Sequence, residues 1–180
     1  MVSEVGDTHL VQQAQHGYQD AYAELTDRHG QLAYRVALRL LGNHHDAEEV
    51  AQEALITAWQ RLPGFSAKSS FSTWLYQIVT RRALNRISRT RTAESLDLVG
   101  DVRDQAPGPG DTAVQRGAAE AVVNAITALP PQQRVAIVLH HFEGLPNAEV
   151  ARLTGSTVAA VRSHLFRGRR ALTKTLQEWR

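Results

Sequence analysis

Apolar residues recur along most of this chain at the three- and four-residue intervals of an α-helix. From Asp20 to Leu41, the residues Tyr22, Leu25, Leu32, Ala33, Val36 and Leu40 fall on one side, and Gly42-Asn43 supplies a C-terminal stop. A second stripe, Ala47, Val50, Ala51, Ala54, Leu55, Ala58 and Trp59, predicts a helix opened by Asp46 with Glu49 as its capping-box partner and ended by Pro63-Gly64. After the loop PGFSAKSSF, a third helix from about Ser72 turns Trp74, Leu75, Ile78, Val79 and Ile87 inward. Periodicity lapses between Arg91 and Thr112, where the chain is acidic, bears proline and glycine and is poor in aromatics. It returns in an alanine- and valine-rich helix from near Ala113 to Leu129, and Pro130-Pro131 then starts another carrying Val135, Ile137, Val138 and Leu139. The expectation is an all-α fold of two small helical domains, residues 1–91 and 113–180, joined by a flexible acidic linker over 92–112.

The last stretch, NAEVARLTGSTVAAVRSHLFRGRR, reads as two short helices joined at Gly155. Ala151 lets them cross closely, and four positions later glycine provides the positive φ that a tight turn needs. Asn147 is a candidate cap for the first helix and Ser156 for the second. Val158, Val161 and Leu165 give the second helix one buried stripe, while Arg162, Ser163, Phe166, Arg167, Arg169 and Arg170 occupy its other face. This is the pattern of a helix-turn-helix whose arginines suit a groove walled by phosphates.

Charge sharpens that reading. The formal net charge is only +2, yet residues 1–62 hold 4 basic and 9 acidic side chains, and residues 63–91 hold 6 basic and none acidic. Residues 92–128 hold 2 basic and 6 acidic, and residues 129–180 hold 8 and 3. Two basic segments divided by acidic ones point to two separate contacts with a polyanion, leaving the acidic parts for a protein surface. With 43% hydrophobic residues the chain has enough apolar surface for compact cores. The absence of cysteine excludes a disulfide framework and a thiolate metal site. No stretch is long and apolar enough to span a membrane, and the start MVSEVGDTHL lacks the order of a signal peptide, so a cytoplasmic location without membrane insertion is expected.

The strings DAEEVAQEALITAWQRLPGF and SSFSTWLYQIVTRRALNRI resemble region 2 of the extracytoplasmic-function (ECF) class of bacterial RNA polymerase sigma factors, of the sigma-70 family. LPPQQRVAIVLHHFEGLPNAEVARLTGSTVAAVRSHLFRGRRAL resembles their region 4. The resemblance covers nearly the whole chain and implies a factor that does no chemistry itself and needs no cofactor or metal. Its implied partners are core RNA polymerase, through the largest and second-largest subunits, promoter DNA, and an anti-sigma factor. It places Asp46, Glu49, Gln52, Glu53, Ile56 and Trp59 on the polymerase. The −10 element would meet Phe65, Lys68, Ser69 and Phe71, with Arg81, Arg82, Asn85, Arg86 and Arg89 on the strand's backbone. The −35 element would meet His140, Arg162, Ser163, His164, Phe166, Arg167, Arg169 and Arg170. Departures from the family pattern are Ala67 and Lys68, where a glycine and an acid are common, and His140 and His164, where basic residues are common.

At the end of the loop and the start of the helix after it, Phe71, Trp74 and Tyr76 are candidates either for core or for a platform on which bases stack. Two other functions share parts of this pattern. A DNA-binding regulator independent of polymerase would need a sensory N-terminal half, usually with alternating strands and helices. A metal-dependent hydrolase would draw on His44, His45, Glu48 and Glu49 or on His140 and His141, but no H-E-x-x-H is present.

Overall fold

The computed structural model describes residues 6–96 and 113–177, apart from the side chains of residues 91, 93–96 and 113–119. Among the described residues every regular element is helical. The first module comprises α1 (Asp7–Gln15), α2 (Gln19–Leu41), α3 (His44–Arg61), a 3-10 turn at Leu62–Gly64, and α4 (Phe71–Leu96). The second comprises α5 (Ala113–Thr127), α6 (Pro131–Ile137) running into a π turn at Val138–Phe142, α7 (Asn147–Thr154) and α8 (Val158–Gln177).

The apolar stripes expected of α2, α3 and α4 meet in the first core, where Leu25, Val36, Leu40, Val50, Leu62, Leu75 and Val79 are buried. α2 ends as expected, with Gly42 at φ 73° and its N–H on the Leu38 carbonyl. Helix α3 begins three residues earlier than expected. Asn43, not Asp46, is its cap, accepting the Asp46 N–H at 2.9 Å, which frees the Asp46 carboxylate for another partner. Helix α1 was not anticipated. Its buried Leu10, Val11 and Ala14 seat it on the bundle, and Gln15 donates to the Leu62 and Phe65 carbonyls at 2.9 and 2.8 Å, tying down the base of the loop before α4. α4 continues to Leu96, five residues into the expected linker, of which residues 97–112 lie outside those described.

Contact between the modules is built from polar groups around an apolar centre, and the buried residues of both form one continuous cluster. Arg134, 9% exposed, donates to the Leu40 carbonyl at 2.6 Å across the junction and to the Leu129 and Thr127 carbonyls on its own side. The π turn delivers Glu143 to the first module, where its carboxylate accepts from Arg39 at 2.8 Å and from the Tyr76 hydroxyl at 2.9 Å. Arg39 also lies over the Phe142 ring, 4.8 Å from its centroid. The Glu143 side chain is only 6% exposed, so those donors stand where water would otherwise satisfy its oxygens.

Candidate nucleic-acid interface

The second module presents α8. Gly155 closes α7 at φ 63°, as the turn requires, and the Ser156 N–H returns to the Ala151 carbonyl at 2.9 Å. The caps differ from expectation at both helices. Thr157, not Ser156, accepts the Ala160 N–H (3.1 Å), because Ser156 faces back toward the Thr154 hydroxyl at 2.8 Å. Asn147 is the first residue of α7 rather than its cap, and its Oδ1 is buried without a hydrogen-bond partner. Val161 and Leu165 are buried. Gly168 lies against α6 so closely that a Cβ there would stand 2.9 Å from Ile137 Cγ1. That contact fixes which face of α8 looks outward.

The outward face carries Arg162, Ser163, Phe166, Arg167, Arg169 and Arg170, all exposed, Phe166 by 65%. Among the described residues no carboxylate pairs with these four arginines. His164 is half-buried with Nδ1 3.3 Å from Arg167 Nη2, and burial followed by that guanidinium holds its pKa below the ordinary histidine value. His140 donates from Nδ1 to the Leu145 carbonyl at 2.8 Å, which fixes the orientation of its ring. Its neighbour His141 is held low by burial, by His140 and by Arg169.

The first module presents the loop, α4 and α3. Ser70 caps α4 through the Thr73 N–H at 3.1 Å. Phe71, expected in a base-binding pocket, is 3% exposed and belongs to the core, stacked near His29 and Trp74 at 5.2 and 5.9 Å. Its place as first residue of α4 turns it inward. Phe65 is half-buried on Trp74, with ring centroids 4.7 Å apart, while Lys68 is exposed and Ser69 half-buried. Tyr76 is buried and committed to Glu143. Ala67 has φ 52°, the left-handed conformation a glycine adopts without cost, so the loop keeps that geometry despite its side chain.

The basic residues of α4 split into two stripes. Arg81, Asn85 and Arg89 are exposed, and among the described residues no carboxylate pairs with the two arginines. Arg82 and Arg86, expected on the DNA backbone, instead bridge to α3. Arg82 is bonded to Glu53 and, through Nε, to the Thr57 hydroxyl at 3.0 Å. Arg86 Nη2 reaches Asp46 at 2.5 Å and Glu49 at 2.6 Å, and those carboxylates raise its pKa further.

The expected polymerase face of α3 is correspondingly divided. Asp46 is 8% exposed and holds Arg86, so it is off the outward face. Gln52, Glu53 and Ile56 are exposed, Ile56 by 58%, while Glu49 and Trp59 are half-buried. Beside Ile56 lies a shallow apolar groove of about 400 Å³ formed with Tyr22, Ala23, Thr26, Leu55 and Trp59. Tyr22 packs on Trp59 at 4.8 Å and donates to the Leu55 carbonyl at 2.5 Å, and burial pushes its pKa up to about 12. Periodicity alone does not reveal this groove, because Tyr22 lies on the apolar stripe of α2 and a groove wall has the same spacing as a core position. His45 and Glu49 form an exposed pair at 3.4 Å, and no cluster of potential metal ligands occurs among the described residues.

Two family models match the two modules: sigma-70 region 2 over residues 25–93 and sigma-70 region 4 over residues 119–172. The ECF RNA polymerase sigma factor SigW of Bacillus subtilis is 31% identical over 178 residues, covering 93% of this chain and 95% of SigW. The RNA polymerase sigma-H factor of Pseudomonas aeruginosa is 32% identical, covering 98% of this chain and 97% of that protein. The chain belongs to the ECF sigma factors. It is thus a transcription initiation factor that brings RNA polymerase to promoters, and its two modules are regions 2 and 4. The structure of CnrH in complex with the cytosolic domain of CnrY superposes with a TM-score of 0.67 at 26% identity, covering 96% of this chain and 97% of CnrH. No described helix of the sigma factor is long and apolar enough to cross a membrane.

Proposed function

We propose a division of labour among three surfaces of this sigma factor. The α8 face, led by Arg162, Ser163, Phe166 and Arg167 and flanked by His140, His164, Arg169 and Arg170, reads the −35 element from the major groove. The loop around Phe65, Lys68 and Ser69, with the exposed stripe Arg81, Asn85 and Arg89, holds the −10 strand as it opens. Gln52, Glu53, Ile56 and Trp59, with Glu49 beside them, dock on the largest subunit of core polymerase, and Ile56 with its groove supplies the apolar anchor. Region 4 also meets the second-largest subunit, residues 92–112 tether the two DNA contacts, and the polymerase alone forms the bonds. The protein acts in the cytoplasm under an anti-sigma factor.

The observation that carries this reading is the four-arginine face of α8, exposed and, among the described residues, without acidic partners, on a turn closed by a left-handed glycine. Its test is reconstitution. Core polymerase plus the purified chain is expected to initiate at discrete genomic positions that share a −35 and a −10 sequence, and core polymerase alone is not. Initiation at no discrete position refutes the proposal. With about six phosphates neutralised, log K for duplex binding is expected to fall with log salt at a slope near −5.

A further inference from the structure

Gln15, half-buried as the last residue of α1, carries an amide NH2 group with two hydrogens. Its Nε2 donates to the Leu62 carbonyl at 2.9 Å and to the Phe65 carbonyl at 2.8 Å, one on each side of the 3-10 turn that opens the loop before α4. The Leu62 carbonyl also accepts the Phe65 N–H at 3.0 Å. With the Phe65 carbonyl turned toward α1 and its ring on Trp74, the direction in which the chain leaves for Ser66 and Ala67 is set. At the other end of α1, about 12 Å away along the helix, Asp7 meets Nε2 of His29 at 2.6 Å. The His29 ring in turn packs on Phe71, where the loop enters α4. Helix α1 thus bears on both ends of the loop, directly at one and through His29 at the other, and buried Leu10, Val11 and Ala14 hold it in place. Between those ends Ser66, Ala67, Lys68 and Ser70 are exposed, so the shape of the loop is dictated from its anchors.

We propose that Gln15 is a positioning residue for −10 recognition and that α1 is the strut that preforms the loop for an unstacked base. A loop that must be ordered when the base arrives loses part of its binding energy to that ordering, whereas one already fixed at Leu62, Phe65 and Phe71 does not. A wrong base is rejected only if the walls around it hold their places, so the same clamp sets discrimination as well as affinity. Glutamine suits this position by length and by chemistry. A carboxylate of the same shape sets an acceptor against two carbonyls, methionine fills the space without a donor, and asparagine is one methylene short. The inference rests on the −10 role of the loop proposed above and adds the residue that gives the loop its shape.

The test uses the full chain with core polymerase, and run-off transcription from a promoter library that carries each of the four bases at every −10 and −35 position. Gln15→Glu and Gln15→Met are expected to lower base discrimination within the −10 element about three- to tenfold, the range for losing one or two hydrogen bonds. Discrimination at −35 positions and affinity for core polymerase are expected to keep their wild-type values. Gln15→Lys, which returns a donor to the two carbonyls, is expected to recover most of the loss, and Gln12→Met, on the exposed face of α1, to change nothing. The proposal is overturned by unchanged −10 discrimination in Gln15→Glu, by a loss spread equally over −10 and −35 positions, by an equal loss in Gln12→Met, or by Gln15→Lys performing no better than Gln15→Met. If Gln15→Glu does not fold, Gln15→Met, which keeps the bulk of the side chain, is read by the same criteria. Phe65→Ala/Lys68→Ala separates this inference from the reading beneath it. If that loop variant lowers −10 discrimination and the Gln15 variants do not, only the strut falls. If the loop variant leaves discrimination intact, the −10 role of the loop is itself at fault and the strut falls with it.

Discussion

Helices α4 and α8 are both rich in arginine, but the two sets are held differently. On α8, Arg162, Arg167, Arg169 and Arg170 point outward, and among the described residues none meets a carboxylate. On α4, Arg82 and Arg86 are clamped to three acids of α3, while Arg81 and Arg89 are left exposed. The reason lies in the neighbours. α8 packs on α5, α6 and α7, and the acid of α7, Glu149, is engaged by Arg152 of its own helix, so among the described residues the arginines of α8 have no counter-charge. α4 packs on α3, an acidic helix. Arginines count toward DNA binding only after those spent inside the fold are subtracted.

The comparison is broken most forcefully at α8. Arg162→Glu/Arg167→Glu is expected to lower promoter-specific transcription by at least about 100-fold, since lost groove contacts cost roughly 1–3 kcal/mol each and reversal adds repulsion. Co-purification with core polymerase should survive. Loss of polymerase binding together with transcription would mean that α8 serves both partners and that its exposed guanidiniums are not reserved for DNA.

Periodicity made most of this legible. The stripes of α2, α3 and α4, the Gly155 turn and the outward arginines of α8 all depend on intervals within one helix, which a sequence displays directly. What it did not display depends on pairing between helices. The partnership of Arg86 with Asp46 joins residues 40 positions apart, and that of Glu143 with Tyr76 joins residues 67 apart. Phe71 misled because an aromatic at a loop end has the same local signature whether it turns toward bases or toward the core. Helix α1 was legible in principle, since Leu10, Val11 and Ala14 share a face, but it is only 9 residues long.

The next largest effect tests whether the modules differ in isolation or only as docked. Glu143→Ala leaves Arg39 and buried Tyr76 without their shared acceptor, and is expected to cost about 2 kcal/mol. Thermal unfolding should shift down by roughly 5 °C, or split into two transitions if the junction is what makes the modules unfold together. An unchanged melt would show that the carboxylate contributes nothing to docking.

Single arginines sharpen the contrast further. Arg86→Ala removes a guanidinium from a carboxylate that is 8% exposed and is expected to destabilise by about 1–2 kcal/mol. Arg162→Ala, on an exposed face with no carboxylate partner among the described residues, is expected to stay within about 0.5 kcal/mol. Denaturant titration of both variants decides it. Equal costs would erase the distinction between paired and unpaired helices. A smaller gain is expected from Ala67→Gly, which relieves a left-handed alanine and should stabilise the first module by about 1 kcal/mol in the same titration.

The smallest effect concerns pH and is specific to the second module. His141 and His164 have pKa values held below the ordinary 6.5, by burial first and then by neighbouring cationic groups. The unfolded chain therefore binds protons more readily than the folded one. Stability is complete above about pH 6.5 and declines as pH falls through that value and the lower folded pKa values, by less than about 1 kcal/mol in total once solvent screening is allowed for. Phosphates work in the opposite direction, because a DNA backbone beside His164 favours the protonated ring that Arg167 and burial disfavour. Between pH 7.5 and 6, duplex affinity should rise while stability falls, and His164→Asn should flatten the affinity profile without touching the contribution of His141 to stability. Parallel pH dependences of affinity and stability would place His164 away from the phosphates and confine the DNA contact of α8 to its arginines.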